Sequence, residues 1–205
     1  MEYKCASQCK FLGCLGRIQI FAVAAITVLL LYGCGARQND ATFVRQETDF
    51  GFVTRVAVLP FENDTDDQFA AQRIRDITMT QILSMGIFDV VDKGVVDSTL
   101  REMAIDKDKP INSPILKRLG QRLGVQAFIH GAVANLGGGR SGAFSYPEVS
   151  LTMKLIDSES SLVLWQSSAH RNGYSVWQRL FDLDPQDGFQ LSLALTRDML
   201  ATIPK

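Results

Sequence analysis

The sequence predicts an α/β sandwich: a mixed β-sheet covered by helices, two-layer or three-layer-like, in the order β-α-β-α-α-β-β-β-α. Three observations carry this. Val56-Ala57-Val58-Leu59 is an all-apolar run closed by Pro60, which suits a strand buried on both faces. Three stretches of helical periodicity follow it. From Ala127 onward the apolar period switches to two, and the chain reads as a strand and a hairpin.

The elements follow in order. Asn63-Asp64-Thr65-Asp66-Asp67 is a turn cluster that offers helix N-caps. The first helix runs from about Gln68 to Met85, with Ala70, Ile74, Ile77, Ile82 and Met85 on one face and Gly86 as its C-cap. Ile87 to Val91 is the second strand. Val95 to Ala104 is the second helix, with Val96, Leu100 and Met103 in register. After a charged loop from Asp106 to Asn112, Ser113-Pro114 opens the third helix as N-cap and first-turn proline. Ile115, Leu116, Leu119 and Leu123 line its face, and Gly124 ends it.

Ala127 to Ala134 is the third strand. The segment Glu148 to Asp157 alternates cleanly, with Val149, Leu151, Met153 and Leu155 on one face and Ser150, Thr152 and Lys154 on the other. Ser158 to Ser161 joins it to the strand Leu162–Ala169. A final helix occupies about Asp187 to Ile203, before Pro204. Residues 50–205 make one domain.

The 205 residues carry a formal net charge of −1, with 46% hydrophobic and 21% charged side chains. That composition excludes a disordered chain. The lack of a basic excess argues against nucleic acid as a partner.

Residues 1–33 read as a signal peptide. Lys4, Lys10 and Arg17 precede an apolar run from Ile18 to Leu31 of 14 residues. A membrane-spanning helix needs about 20. Leu31-Tyr32-Gly33-Cys34 resembles the lipobox of bacterial lipoproteins, with Leu31, Gly33 and Cys34 matching. The resemblance implies cleavage before Cys34 and a covalent diacylglycerol and N-acyl lipid, such as palmitate, on its thiol. Several acyl chains anchor firmly, where one binds only marginally. Gly35, where an Asp would retain the protein at the inner membrane, points to the outer membrane and its periplasmic face. Cys5, Cys9 and Cys14 fall within the leader, so the mature chain keeps one cysteine and forms no internal disulfide. Losing Glu2, Lys4, Lys10 and Arg17 leaves a mature formal charge of −3. Residues 34–49 are polar and read as a lipidated tether.

Catalytic motifs fail one by one. Gly137-Gly138-Gly139-Arg140-Ser141-Gly142 fits G-x-G-x-x-G, but a strand follows it where a nucleotide site needs a helix. It reads as a flexible loop between strands. His130 and His170 lie far apart in sequence, in or at the end of strands, and read as structural. Asp64, Asp66 and Asp67 lack the glycine and terminal glutamate of a calcium loop. No catalytic residue, metal site or cofactor is expected. One connection, between the hairpin and the last helix, carries Tyr174, Val176, Trp177, Leu180, Phe181 and Leu183. Tyr174, Trp177, Leu180 and Phe181 are therefore candidates for binding a partner, against a plainer role as caps on the core.

Three stretches, RVAVLPFENDT (Arg55–Thr65), GVQAFIHGAVANL (Gly124–Leu136) and VSLTMKLIDSESSLVLW (Val149–Trp165), resemble the CsgG family of envelope lipoproteins. Its relatives include the penicillin-binding-protein activator LpoB, and the N-terminal domain of TolB has a similar fold. Gln126 replaces the family's usual acidic residue, and Ser160-Ser161 replaces its hairpin Thr-Gly. The short connections leave no room for the membrane-spanning hairpins of CsgG itself. The resemblance thus implies a non-enzymatic, lipid-anchored envelope protein that binds a partner such as a peptidoglycan synthase or a secretion apparatus. The alternative is an oligomeric accessory subunit of a curli-like secretion complex.

Overall fold

The computed structural model describes residues 40–46, 48–106, 111–141, 144–173 and 187–204. A compact unit spans Gln38–Lys205. The fold is mixed α/β as expected: a seven-stranded sheet packed against four helices among the described residues, not closed into a barrel.

The strands are β1 (Ala41–Val44), β2 (Arg55–Val58), β3 (Glu62–Asn63), β4 (Asp89–Val90), β5 (Ala127–Ser141), β6 (Phe144–Asp157) and β7 (Val163–Asn172). The helices are α1 (Ala70–Met85), α2 (Lys93–Glu102), α3 (Ser113–Leu123) and α4 (Gly188–Leu200). The sheet order is β1-β7-β6-β5-β2-β4, with β3 beside β5. β2 is parallel to both neighbours, while β5, β6, β7 and β1 pair antiparallel.

The apolar run of β2 explains the layering. Val56 and Val58 join a core with Ile74, Ile77 and Ile82 of α1 and Leu191, Leu195 and Met199 of α4. Ala57 and Leu59 point the other way, into a core with Val96 and Leu100 of α2 and Leu116 and Leu119 of α3. Beyond Pro60 the chain pairs with β5 again as β3, and the Phe61 ring lies over Gly131. A Cβ on Gly131 would sit 2.8 Å from that ring and 2.7 Å from the Thr152 carbonyl, so only glycine fits there.

Several expectations are corrected. A strand, β1, lies inside the segment 34–49 read as a tether; it pairs with β7 from Ala41↔Ser168 to Val44↔Trp165. Arg171 holds its start through paired bonds of 2.6 and 2.8 Å to Asp40, which raise the affinity of that guanidinium for its proton. The glycine run is not a loop: β5 continues through it to Ser141 and pairs with Phe144 of β6, after a bulge between Val133 and Asn135. Unsatisfied amides of a glycine-rich segment find partners in the opposite strand. The second strand shrinks from Ile87–Val91 to Asp89–Val90, and β3 was not foreseen. The third helix is capped by Asn112, whose Oδ1 accepts from the Ile115 N–H at 3.1 Å, so Ser113 lies inside the helix. α1 starts from Phe69 with no side-chain cap; Asp67 accepts from the Phe69 N–H just upstream at 2.9 Å.

Two departures from the family motif find explanations. Gln126 Oε1 accepts from the backbone N–H groups of Thr54 (3.3 Å) and Arg55 (2.8 Å), and so fastens the start of β2. Ser161 stands in the left-handed region, φ 58°, where the motif has glycine. Its hydroxyl is buried without a partner among the described residues. Left-handed backbone costs a non-glycine residue about 1–2 kcal/mol, partly offset by glycine's greater freedom when unfolded. Ser161→Gly is therefore expected to stabilise the domain by about 1 kcal/mol, since it also removes the unpaired hydroxyl. Denaturant unfolding checks this; a loss of stability contradicts it.

Candidate interaction surface

The helices cover the sheet unevenly. α1 and α4 pack on one face along β5, β6 and β7, burying Val149, Leu151, Met153, Leu155 and Trp165. On the other face, α2 and α3 cover Phe128 and reach Ile156. None of the described helices packs on the rest of that face, and it is the polar half of the alternation that occupies it.

Register places its side chains in rows. His130 of β5 pairs with Lys154 of β6, Lys154 with Gln166 of β7, and Gln166 with Phe43 of β1. The next row runs Ala132, Thr152, Ser168, Ala41, with Thr152 and Ser168 hydroxyls 2.9 Å apart. Phe43 is exposed (49%), as are Gln166 and His170. The reverse side of this platform is the main core, and the platform presents Lys154, amides, hydroxyls, the Phe43 ring and the imidazoles of His130 and His170 beside carboxylates. Such a mixture suits recognition of a protein surface better than chemistry.

The two histidines hold carboxylate neighbours on this face. His170 Nε2 lies 3.2 Å from Glu148. His130 Nε2 lies 3.9 Å from Glu62, and its side chain is mostly buried. Burial, and then the charge of Lys154, lower the affinity of His130 for a proton; Glu62 opposes them. With a folded pKa below the unfolded value of about 6.5, the contribution of His130 to stability is complete above that value. It is lost as pH falls toward the folded pKa, because the unfolded chain takes up the proton first. The wild type is thus expected to lose stability relative to His130→Gln between pH 7.5 and about 5, measured by denaturant unfolding across pH. A wild type that gains on the variant contradicts this.

The acidic turn caps its own backbone. Asn63 Oδ1 accepts from the Thr65 hydroxyl at 2.8 Å, and Asp67 pairs with Arg73. The hydrogen bond from the Phe69 N–H, and then that from Arg73, hold the Asp67 carboxyl below the usual carboxylate range. No group of three metal-ligating side chains occurs among the described residues.

On the opposite face, an apolar groove of about 250 Å³ lies between α1, α4 and the β5–β6 hairpin, lined by Ile74, Ile77, Leu136, Pro147, Val149 and Phe189. The connection carrying the candidate aromatics leaves β7 at Gly173, whose N–H donates to Pro147 at 2.7 Å. It re-enters at Asp187, ahead of Gly188, another residue lining the groove. Tyr174, Trp177, Leu180 and Phe181 themselves lie outside the described residues, as do Leu31, Gly33 and Cys34. Sequence reasoning found the polar face of β6 but not the row it belongs to. Phe43 sits on an unforeseen strand, and the position of Gln166 opposite Lys154 depends on a register shift between Leu155 and Ile156.

A family model described as peptidoglycan-synthase activator LpoB matches residues 41–170. Among solved structures, a PelC dodecamer from Paraburkholderia phytofirmans is similar over 80% of this chain and 94% of that chain, at 17% identity and a TM-score of 0.55. Lipoprotein GNA1162 from Neisseria meningitidis is similar over 73% of this chain and 99% of that chain, at 18% identity and a TM-score of 0.51. At such identities the likeness is one of fold. No curated protein matches the chain.

Proposed function

The chain belongs to the LpoB family of peptidoglycan-synthase activators, and from that premise we propose that it is a non-enzymatic periplasmic lipoprotein that binds and activates a peptidoglycan synthase. The family match over residues 41–170 carries this reading. It takes in β1 to β6 and all but the last two residues of β7, and so reaches every strand of the open sheet face. That face, with Gln166 and Phe43 exposed and Lys154 half-buried along one row, is the docking surface in this proposal. The lipid on Cys34 holds the domain at the outer membrane. No helix among the described residues is long and apolar enough to cross a membrane. Anchoring confines the protein and its partner to a thin layer and raises their effective concentration.

The native mass of the full lipoprotein, extracted from its own cells in mild detergent, tests the reading. The expected species is a complex with one larger envelope protein, weakened by Lys154→Glu without change in the melting temperature. A ring-sized homo-oligomer free of any partner overturns it in favour of a secretion-complex subunit. Soluble Cys34→Ala protein in the periplasm supports the anchor; unchanged membrane association overturns that part.

A further inference from the structure

At the carboxyl ends of β2 and β4 lies a cleft of about 420 Å³ that neither the sheet face nor the family reading uses. Its position follows from topology. β2 and β4 are adjacent and parallel, yet the chain leaves β2 into α1 on one face and leaves β4 into α2 on the other. Where neighbouring parallel strands send their connections to opposite faces, a crevice opens beyond their carboxyl ends, and ligands of α/β proteins bind in such crevices.

The chemistry of the walls is specific. Phe61, Leu100 and Ile105 supply apolar surface. Arg75, only 6% exposed, lies in the wall. Its Nε and Nη2 donate to the Val58 carbonyl at 3.0 and 2.8 Å, and its Nη1 to Asp97 at 2.8 Å. A guanidinium has five N–H groups, so two of them have no acceptor among the described residues. Lys93 is paired with Asp76 at 2.5 Å. Arg101 also lines the cleft, is exposed, and has no acidic partner among the described residues. The cations Arg75, Lys93 and Arg101 against Asp97 and Asp76 leave one positive charge uncompensated.

The geometry points to a binding site for a monoanion: we infer that the cleft takes a small carboxylate joined to an apolar group, the carboxylate between Arg75 and Arg101 and the apolar part against Phe61 and Leu100. A single uncompensated charge matches a carboxylate rather than a phosphate dianion, and planar guanidinium groups match its two oxygens. The volume lies within the range of small-ligand sites.

Calorimetric titration of the full chain in detergent tests this with three probes: N-acetyl-leucine, N-acetyl-leucinamide and inorganic phosphate. The expected result is saturable binding of N-acetyl-leucine and binding of the amide weaker by about tenfold, as for loss of a charge-assisted hydrogen bond. Phosphate is expected to bind more weakly than N-acetyl-leucine. Arg101→Gln, at an exposed position, is expected to weaken N-acetyl-leucine by about tenfold with an unchanged melting temperature. No saturable binding, equal binding of acid and amide, tighter binding of phosphate, or an Arg101→Gln protein with unaltered affinity each overturns the proposal. None of these outcomes depends on whether the protein activates a synthase.

Discussion

Trp165→Ala is expected to destabilise the domain by about 3–5 kcal/mol, the range for truncating a buried aromatic side chain. Trp165 is fully buried. It pairs across the sheet with Leu155 of β6 on one side and Val44 of β1 on the other. Its indole N–H donates to the Thr202 hydroxyl at 2.9 Å, and that hydroxyl donates to the Met199 carbonyl at 2.7 Å. One side chain thus joins the edge strand, the main core and the carboxyl end of α4. Alanine removes the ring, leaves a cavity and strips Thr202 of its donor. Trp165→Phe keeps most of the volume and loses the N–H, so its expected cost is about 1–2 kcal/mol. Denaturant unfolding of both variants measures this. A loss below about 1 kcal/mol for alanine contradicts the assignment of Trp165 as the keystone of this core.

Arg75→Ala is expected to cost about 3 kcal/mol, the lower end of the range for breaking a buried ion pair. The lower end applies because Asp97 keeps 30% of its side chain in water, against 6% for Arg75. The loss comes from what is left behind: the Val58 carbonyl without its two donors and Asp97 without its partner. Arg75 rises from α1 and Asp97 from α2, so the pair fastens the helical layers of the two faces together at the end of β2. The double variant Arg75→Met, Asp97→Leu removes both charges and is expected to recover much of the loss. A double variant no more stable than Arg75→Ala shows that the cost lies in the bonds to Val58 rather than in the stranded charge.

The readable parts of the fold are those whose burial is declared by their own residues. β2 is apolar on both faces because helices cover both. β6 alternates because α4 covers one face and the other is open. Helix ends at Gly86 and Gly124 adopt φ near 61° and 65°, which glycine signals directly. The parts that were missed take their order from a partner. Ala41–Val44 is four residues of mixed polarity and becomes a strand because β7 offers an unpaired edge. The glycines of β5 carry no strand preference, and their pairing is imposed by Phe144–Glu148 across the hairpin. Ile87 and Phe88 are apolar for packing against the core, so they mimic a strand that only Asp89 and Val90 complete. The docking face was half legible for the same reason. Alternation turns Lys154 to the open face, whereas its neighbours along the row are set by long-range register.

We propose that this domain activates a peptidoglycan synthase by binding it, with no chemistry of its own. The most direct test adds the purified full-length protein to the peptidoglycan synthase of the same cells and follows glycan-strand polymerisation. Wild-type protein is expected to raise the rate, and Lys154→Glu, folded to the same melting temperature, is expected not to. A synthase whose rate is unchanged by saturating, folded wild-type protein would contradict it.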